Sequence, residues 1–337
     1  MTTIRDVARL AGVSPAAASM ALNNHPRISS ITKEKVIKAS KEINYIPNSI
    51  AKSLTTKKTG MIGLLLAEII NPYHATLTHH IKNGLDQKGY RLSLGISRGS
   101  QKLEQDVVKD FISQRVEGVL IHAVDNINFQ VSTIYELIRR NIPTVLIGGN
   151  FEGINLPYVD VNLELGCYVL AKYLIEKGYQ RFLILSGLIN AATFKRRLDG
   201  INKAIIEAAY KITRKDVVET NPDFLGGYES IVKILRKKPL DYDVIICGND
   251  YMAYGVLKAL KEFQINVPQE VGVTGFDDIF FSSVTSVPLT SVHVPLEELA
   301  QKSVQILHKI IKKNVEIDSL SNLCDEVFPT LAIREST

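Results

Sequence analysis

The 337-residue chain has no tryptophan, four methionines and three cysteines. Cys167, Cys247 and Cys324 are widely spaced and form no C-x-x-C pair, so they support neither a disulfide framework nor a zinc site. They read as buried thiols in a reducing compartment. No apolar run is long enough to span a bilayer, and the first residues are polar where a secretory leader needs an apolar stretch, so the expected location is the cytoplasm, with no membrane contact. Walker-type phosphate loops, H-E-x-x-H and G-x-G-x-x-G are also missing, and Gly148-Gly149 and Gly226-Gly227 are too short to cradle a phosphate. His79-His80 lies on a predicted surface helix without a second ligand pair and reads as a solvated face. No enzyme activity, metal or cofactor is expected.

What remains divides into two unlike parts. Residues 1 to 60 carry 10 lysines and arginines against 3 acidic residues, a net of +7, whereas the rest of the chain sums to −2. All the positive excess is N-terminal, which suits a module that meets phosphate with a steep salt dependence.

Thr3 and Asp6 have capping-box spacing, and Ile4, Val7, Ala8, Leu10 and Ala11 recur at helical intervals, so a first helix runs to about Ala11 and stops at Gly12. Ser14 then caps a second helix with Pro15 at its first position, where the missing N–H costs nothing. This is helix-turn-helix spacing. Ser29, three residues before Thr32, opens a third helix whose Val36, Ile37, Ala39, Ser40 and Ile43 are expected to face inward. Asn44 ends it, and Tyr45, Ile46 and Pro47 close the small core. In such motifs the second helix enters the major groove and its first residues meet the bases. Here those are Pro15, Ala16 and Ala17, with Met20 one turn on, and none can make a two-pronged hydrogen bond. Readout is then apolar, for instance against thymine methyls, helped by Ser14, Ser19, Asn23 and Arg27. The competing reading makes Ala16 to Ala21 small residues that merely pack a helix.

From Met61 the texture changes. Met61 to Ala67, Tyr90 to Ser97, Gly118 to Val124 and Thr144 to Gly148 are short apolar runs of buried-strand type, separated by amphipathic stretches at about 73 to 88, 101 to 114 and 130 to 140. The pattern resumes with a helix from Leu163 to Lys177, a strand Arg181 to Ser186, helices at 195 to 209 and 227 to 236, a strand Val244 to Cys247, a helix 250 to 263 and a strand Val271 to Thr274. Repeated βαβ units mean parallel sheets, and two such lobes side by side enclose a cleft.

Thr3-Ile4-Arg5-Asp6-Val7-Ala8, Ala11-Gly12-Val13-Ser14, Ala21-Leu22-Asn23, Tyr45-x-Pro47-Asn48 and Ala51-x-Ser53-Leu54 resemble the headpiece of the lac repressor (LacI/GalR) family of bacterial transcription regulators. The match continues through Asn71-Pro72-Tyr73, Arg115-Val116-Glu117-Gly118, Asn249-Asp250-x-Met252-Ala253-x-Gly255 and Val271 to Asp278, covering nearly the whole chain in one register. The resemblance implies an all-α helix-turn-helix headpiece (1–48), a hinge helix (49–60) and an α/β two-lobed, periplasmic-binding-protein-like core with parallel sheets (61–337). It implies an N-lobe of about 61–161 and 292–322 and a C-lobe of about 162–291 and 323–337, joined by crossings near residues 161, 291 and 322. It further implies that Thr3, Tyr45, Asn48, Ala51 and Lys52 lie against DNA, and that Leu54 wedges between base pairs in the minor groove, where an inserted apolar side chain kinks the duplex. The implied assembly is a homodimer, or a tetramer, on a near-palindromic double-stranded operator. Repression is the family's usual outcome.

In open α/β sheets ligands sit at the carboxyl ends of strands, which selects Tyr73 and His74 after the first run, Ser97 after the second and Asp125 after the third. From the second lobe come Thr193, Lys195 and Arg197, then Asn249, then Asp277. Carboxylate, amide, cation and aromatic face together suit a small polyhydroxyl effector, a sugar or related metabolite. By resemblance, Asn249 and Asp277 match effector-holding positions and Lys195 stands where sugar-binding members carry arginine. Asp250 reads as the cap of the following helix, Asp278 as a turn cap, and Arg197 is divided between ligand contact and lobe packing. A stand-alone sugar-binding protein would explain the core but leaves residues 3 to 58 without a purpose.

Overall fold

The computed structural model describes residues 2–46, 58–122, 131–149, 154–189, 191–209, 213–313 and 323–337. They form two compact units, Met1–Thr59 and Gly60–Thr337.

The described residues of the first unit form three helices: α1 (Ile4–Ala11), α2 (Pro15–Leu22) and α3 (Ser30–Glu42). The Asp6 carboxylate accepts from the Thr3 N–H at 3.0 Å and its hydroxyl at 2.8 Å, closing the start of α1. Gly12 ends it at φ +67°, a left-handed conformation that a side chain would strain. Ser14 Oγ accepts from Ala17 N–H at 3.1 Å and Ser29 Oγ from Thr32 N–H at 3.3 Å, so both later helices begin where their caps place them. The core is Val7, Ala8, Ala18, Ala21, Val36 and Ala39, small side chains that let three short helices approach closely. Ile37, expected inward, is exposed, because Val36, Ala39 and Ser40 already fill the buried stripe of α3. Ile43 and Tyr45 pack at the rim of the core. Pro47, Asn48, Ala51, Lys52 and Leu54 lie outside the described residues.

The described residues of the second unit form two six-stranded sheets. In chain order its elements are β1 (Met61–Leu66), α4 (Pro72–Gln87), β2 (Arg91–Ile96), α5 (Gln101–Ser113), β3 (Gly118–His122), α6 (Val131–Arg139), β4 (Thr144–Ile147), β5 (Tyr158–Val161), α7 (Leu163–Glu176), β6 (Arg181–Ser186), α8 (Ala192–Glu207), β7 (Arg214–Glu219), α9 (Phe224–Leu235), β8 (Val244–Cys247), α10 (Asp250–Glu262), β9 (Gly272–Asp277), β10 (Thr290–His293), α11 (Leu296–Lys313), β11 (Cys324–Val327) and β12 (Thr330–Ala332). The N-lobe sheet runs β11-β5-β4-β3-β1-β2 and is parallel throughout. The C-lobe sheet runs β12-β10-β9-β8-β6-β7, parallel except that β12 is antiparallel to β10. Central strands are buried on both faces: Leu64 sits in register with Leu94 on one side and Leu120 on the other. A fully buried leucine contributes about 2 kcal/mol, so these runs anchor each lobe.

The chain passes between lobes after β5, after β10 and after β11, since α7 packs on β10 and β12 whereas α11 packs on β3, β4 and β5. The crossings expected near 291 and 322 therefore fall later, at Val294–Pro295 and Phe328–Pro329, and Cys324–Val327 belong to the N-lobe sheet rather than the C-lobe. Strands β5, β7, β10, β11 and β12 and helix α11 are additions to the expected elements. Cys324 is exposed on β11, an edge strand, while Cys167 and Cys247 are buried; burial pushes the Cys167 thiol up to about 12. Among the described residues no helix is long and apolar enough to cross a membrane.

Candidate functional site

In the helix-turn-helix unit, α2 turns Ala18 and Ala21 into the core and leaves Ser14, Pro15, Ala16, Ser19 and Asn23 exposed, with Ala17 and Met20 half-buried. The packing reading thus holds for Ala18 and Ala21, and the remaining residues form one outward face. Asn23 donates from Nδ2 to the Ser19 carbonyl at 2.9 Å, and exposed Arg27 follows on the turn, its N–H on His25 Nδ1 at 3.2 Å. Thr3 is exposed with its hydroxyl committed to Asp6, and Tyr45 is half-buried. A protruding helix face with short side chains and flanking cations has the shape to enter a major groove.

In the core, the carboxyl ends of both sheets border a cavity of about 140 Å³. Its N-lobe wall includes Glu68, Asn71, Tyr73, His74 and His122; its C-lobe wall includes Thr193, Phe194, Arg197, Pro222, Asn249 and Asp277. Asn71 and Asn249 are helix caps, with Oδ1 accepting from Tyr73 N–H (3.0 Å) and Met252 N–H (2.8 Å) respectively. The Asn249 amide also donates to the Pro222 carbonyl at 3.0 Å, which fixes its orientation.

Arg197 is the centre of the C-lobe wall. Its guanidinium carbon lies 4.0 Å from the centre of the Phe276 ring and 5.2 Å from that of Phe194. One Nη donates to the Gly248 carbonyl and the other lies 3.7 Å from Oδ1 of Asp277. Stacked and paired in this way, the fork is pre-oriented for hydroxyl acceptors. Asp277 itself sits at φ +112°, a sparsely populated conformation for a residue with a side chain. Its neighbours hold it there: Asp278 N–H donates to Ser291 Oγ (3.1 Å), Ile279 N–H to Asp250 Oδ2 (2.9 Å) and Val294 N–H to the Asp277 carbonyl (3.4 Å).

Asp250 is not the cap of α10; Asn249 is. The Asp250 carboxylate is fully buried against Gly275, where an added Cβ would stand 2.1 Å from Oδ1. It accepts from Ser282 Oγ and Ser291 Oγ, both at 2.5 Å. Burial pushes its carboxyl up to about 7, against those hydrogen bonds. Asp278 is more than a turn cap: it pairs with His293 Nδ1 (2.9 Å) and Arg334 (2.6 Å). Burial acts to raise its carboxyl, but the hydrogen bonds and charges of His293 and Arg334 outweigh it and hold it below the usual range.

Of the residues expected at the effector site, Tyr73, His74, Thr193, Arg197, Asn249 and Asp277 come together around the cavity. Lys195 does not: it is exposed, on the side of α8 away from Thr193, Phe194 and Arg197, so the cation of the site is Arg197. Ser97 is buried beside the site, its N–H and hydroxyl on the Leu66 carbonyl at 2.9 and 3.4 Å. It is the serine of Gly95-Ile96-Ser97-Arg98-Gly99, which has nucleophile-elbow spacing, but no histidine among the described residues bonds it. Asp125 lies outside the described residues. Glu68, His122 and Phe194 are additional wall residues, and two of them obey the rule that selected the others: His122 ends β3 and Glu68 stands two residues past β1. His79 is exposed and His80 half-buried on α4, and among the described residues no group of three His, Cys, Asp or Glu could hold a metal ion.

Both parts of the chain have known relatives. Residues 3–48 match the bacterial regulatory proteins of the lacI family, and residues 171–337 match the periplasmic binding protein-like domain. The ribose operon repressor of Escherichia coli (strain K12) is 32% identical over 320 residues, covering 94% of this chain and 95% of that protein. The HTH-type transcriptional repressor PurR of Photobacterium profundum is 30% identical over 339 residues, covering 100% and 98%. The lac repressor dimer bound to operator and the anti-inducer ONPF shares the fold, with a TM-score of 0.85 at 23% identity over 100% of this chain and 99% of the other. The chain belongs to the lacI family of bacterial regulatory proteins, which makes it a DNA-binding transcriptional regulator.

Proposed function

We propose that two copies of the chain pair on a near-palindromic operator in the cytoplasm, and that a small, uncharged polyhydroxyl metabolite in the cleft sets how tightly they hold it. The carrying observation is the cavity that joins Arg197, Asn249 and Asp277 of one lobe to Tyr73 and His74 of the other. A ligand touching both walls favours one lobe arrangement, and only that difference in affinity can move the DNA equilibrium. In each copy α2 reads a half-site, the half-sites standing about one helical turn apart. Leu54 wedges a base step between them, so Leu54→Ala weakens specific binding far more than non-specific binding. The chain binds and releases without a chemical step or cofactor.

The test is a thermal-shift series with D-ribose, other pentoses and hexoses, sugar phosphates, nucleosides and purine bases, followed by operator titration at fixed salt with each stabilising compound. A neutral sugar that stabilises the core and changes operator affinity supports the reading. Stabilisation by purines or sugar phosphates alone, or by nothing in the series, overturns the effector class.

A further inference from the structure

The N-lobe wall of the cavity contains a hydrogen-bonded pair, Glu68 and His74. Glu68 gives one carboxylate oxygen to the backbone N–H groups of Ile70 (2.5 Å) and Asn71 (3.0 Å), at the start of α4. Its other oxygen lies 2.7 Å from Nδ1 of His74. Burial acts to raise this carboxyl, but the hydrogen bonds from His74 and the two backbone donors outweigh it, leaving Glu68 below the usual range. Glu68 is therefore an acceptor, and Nδ1 of His74 must carry the proton between them. With one proton on the ring, committing it to Glu68 leaves Nε2 with a lone pair. Among the described residues no group bonds that nitrogen. The His74 ring is buried and set edge-on against Tyr73 (centroids 5.3 Å apart) and His122 (5.2 Å), which restricts its rotation.

We propose that Glu68 is a positioning residue: it locks His74 in the Nδ1–H form, so that Nε2 presents an acceptor to a hydroxyl of the effector. The effector class rests on the preceding reading, whereas the tautomer does not. The two walls then read different features of one ligand. Arg197 supplies donors to oxygen lone pairs, and His74 accepts a hydrogen bond from a hydroxyl donor. A site built to pair with a hydroxyl rejects the deoxy analogue strongly, because its own polar group is left unmatched.

Glu68→Gln separates positioning from bulk. The glutamine oxygen keeps the two backbone N–H bonds, while its amide turns a donor toward Nδ1. His74 must then accept at Nδ1 and carry its proton on Nε2.

The experiment is ring-nitrogen NMR of the full chain with 15N-labelled histidine, with His74 identified by the signal lost in His74→Gln. It is paired with calorimetric titration of D-ribose, D-xylose, D-glucose and D-galactose. The expected result is a protonated Nδ1 and bare Nε2 in the native chain, exchange of the two signatures in Glu68→Gln, and a tenfold or greater loss of affinity in that variant for whichever sugar the native chain binds. A native Nε2–H form, or unchanged nitrogens in Glu68→Gln, overturns the tautomer lock. Exchanged nitrogens with undiminished sugar affinity overturn the role of Nε2 in recognition. A native chain that binds none of the four sugars overturns the role of Nε2 in recognising them, and the ring-nitrogen pattern still decides the tautomer lock.

Discussion

Arg196 donates from Nη1 to Oδ1 of Asp160 at 3.0 Å, and this bond crosses from the C-lobe to the N-lobe. Its second Nη reaches the carbonyl of Val161 at 3.1 Å, at the end of the strand that leads into the first crossing. The next residue on the same helix, Arg197, faces the effector cavity. One turn of α8 thus touches both the ligand site and the hinge.

Removing that strap is expected to alter the response more than the stability. The pair is only partly buried, so Arg196→Ala costs at most about 1 kcal/mol of unfolding free energy. Coupling through such elements is typically worth about 0.5–2 kcal/mol, which corresponds to a roughly 2- to 30-fold change in the effector's influence on operator affinity. Operator titrations with and without effector measure it; an unchanged ratio between them excludes Arg196 from the coupling.

Arg197→Lys tests the stacked fork. A lysine keeps the charge beside Asp277 but loses the planar stack on Phe276 and the second donor. Effector affinity should fall about tenfold or more, an effect of roughly 1.4 kcal/mol. Titration calorimetry on the variant decides this, and full affinity would mean that charge alone is read.

The buried Asp250 predicts a pH signature. Its carboxyl is held up to about 7 in the folded chain against 3.8 for an exposed one, so the folded state binds its proton more tightly than the unfolded state does. Its contribution to stability is then complete below about pH 4 and is lost as pH rises toward 7. Asp250→Asn cannot titrate. The unfolding free energy of the native chain minus that of the variant should therefore decrease steadily between pH 4 and pH 7 in denaturant titrations. A difference that is flat across this range contradicts the assignment.

Gly12→Ala isolates a backbone effect in the headpiece. A Cβ at Gly12 would meet nothing within 4 Å, so only the left-handed φ of +67° opposes it. The expected loss is about 1 kcal/mol, read by circular dichroism of the headpiece transition. Ser14→Ala, which removes the cap on Ala17 N–H, should cost a similar amount, about 1 kcal/mol, by the same measurement.

The order of elements was written in local chemistry. Ser14-Pro15 sets the start of α2, Gly12 the end of α1, and the apolar runs at 61–66, 118–122 and 244–247 mark strands buried on both faces. Strands β7 (Arg-Lys-Asp-Val-Val-Glu) and β11 (Cys-Asp-Glu-Val) escaped that logic because edge strands, paired on one side only, carry charges that blur any apolar signal. The strand-end rule found six residues of the effector wall, since it depends only on where strands stop.

By itself the sequence determined the basic three-helix headpiece, the βαβ core and the general address of the ligand site, because caps, hydrophobic period and charge are local properties. Tertiary structure decided the rest. It chose Arg197 over Lys195, because the phase of α8 follows from a helix start at Ala192 and from packing on Phe276. It paired Glu68 with His74, and it buried Asp250 against Gly275 instead of leaving it as a cap. Each of these depends on which side chains meet across a cleft or a sheet, a relation that spacing along the chain does not contain.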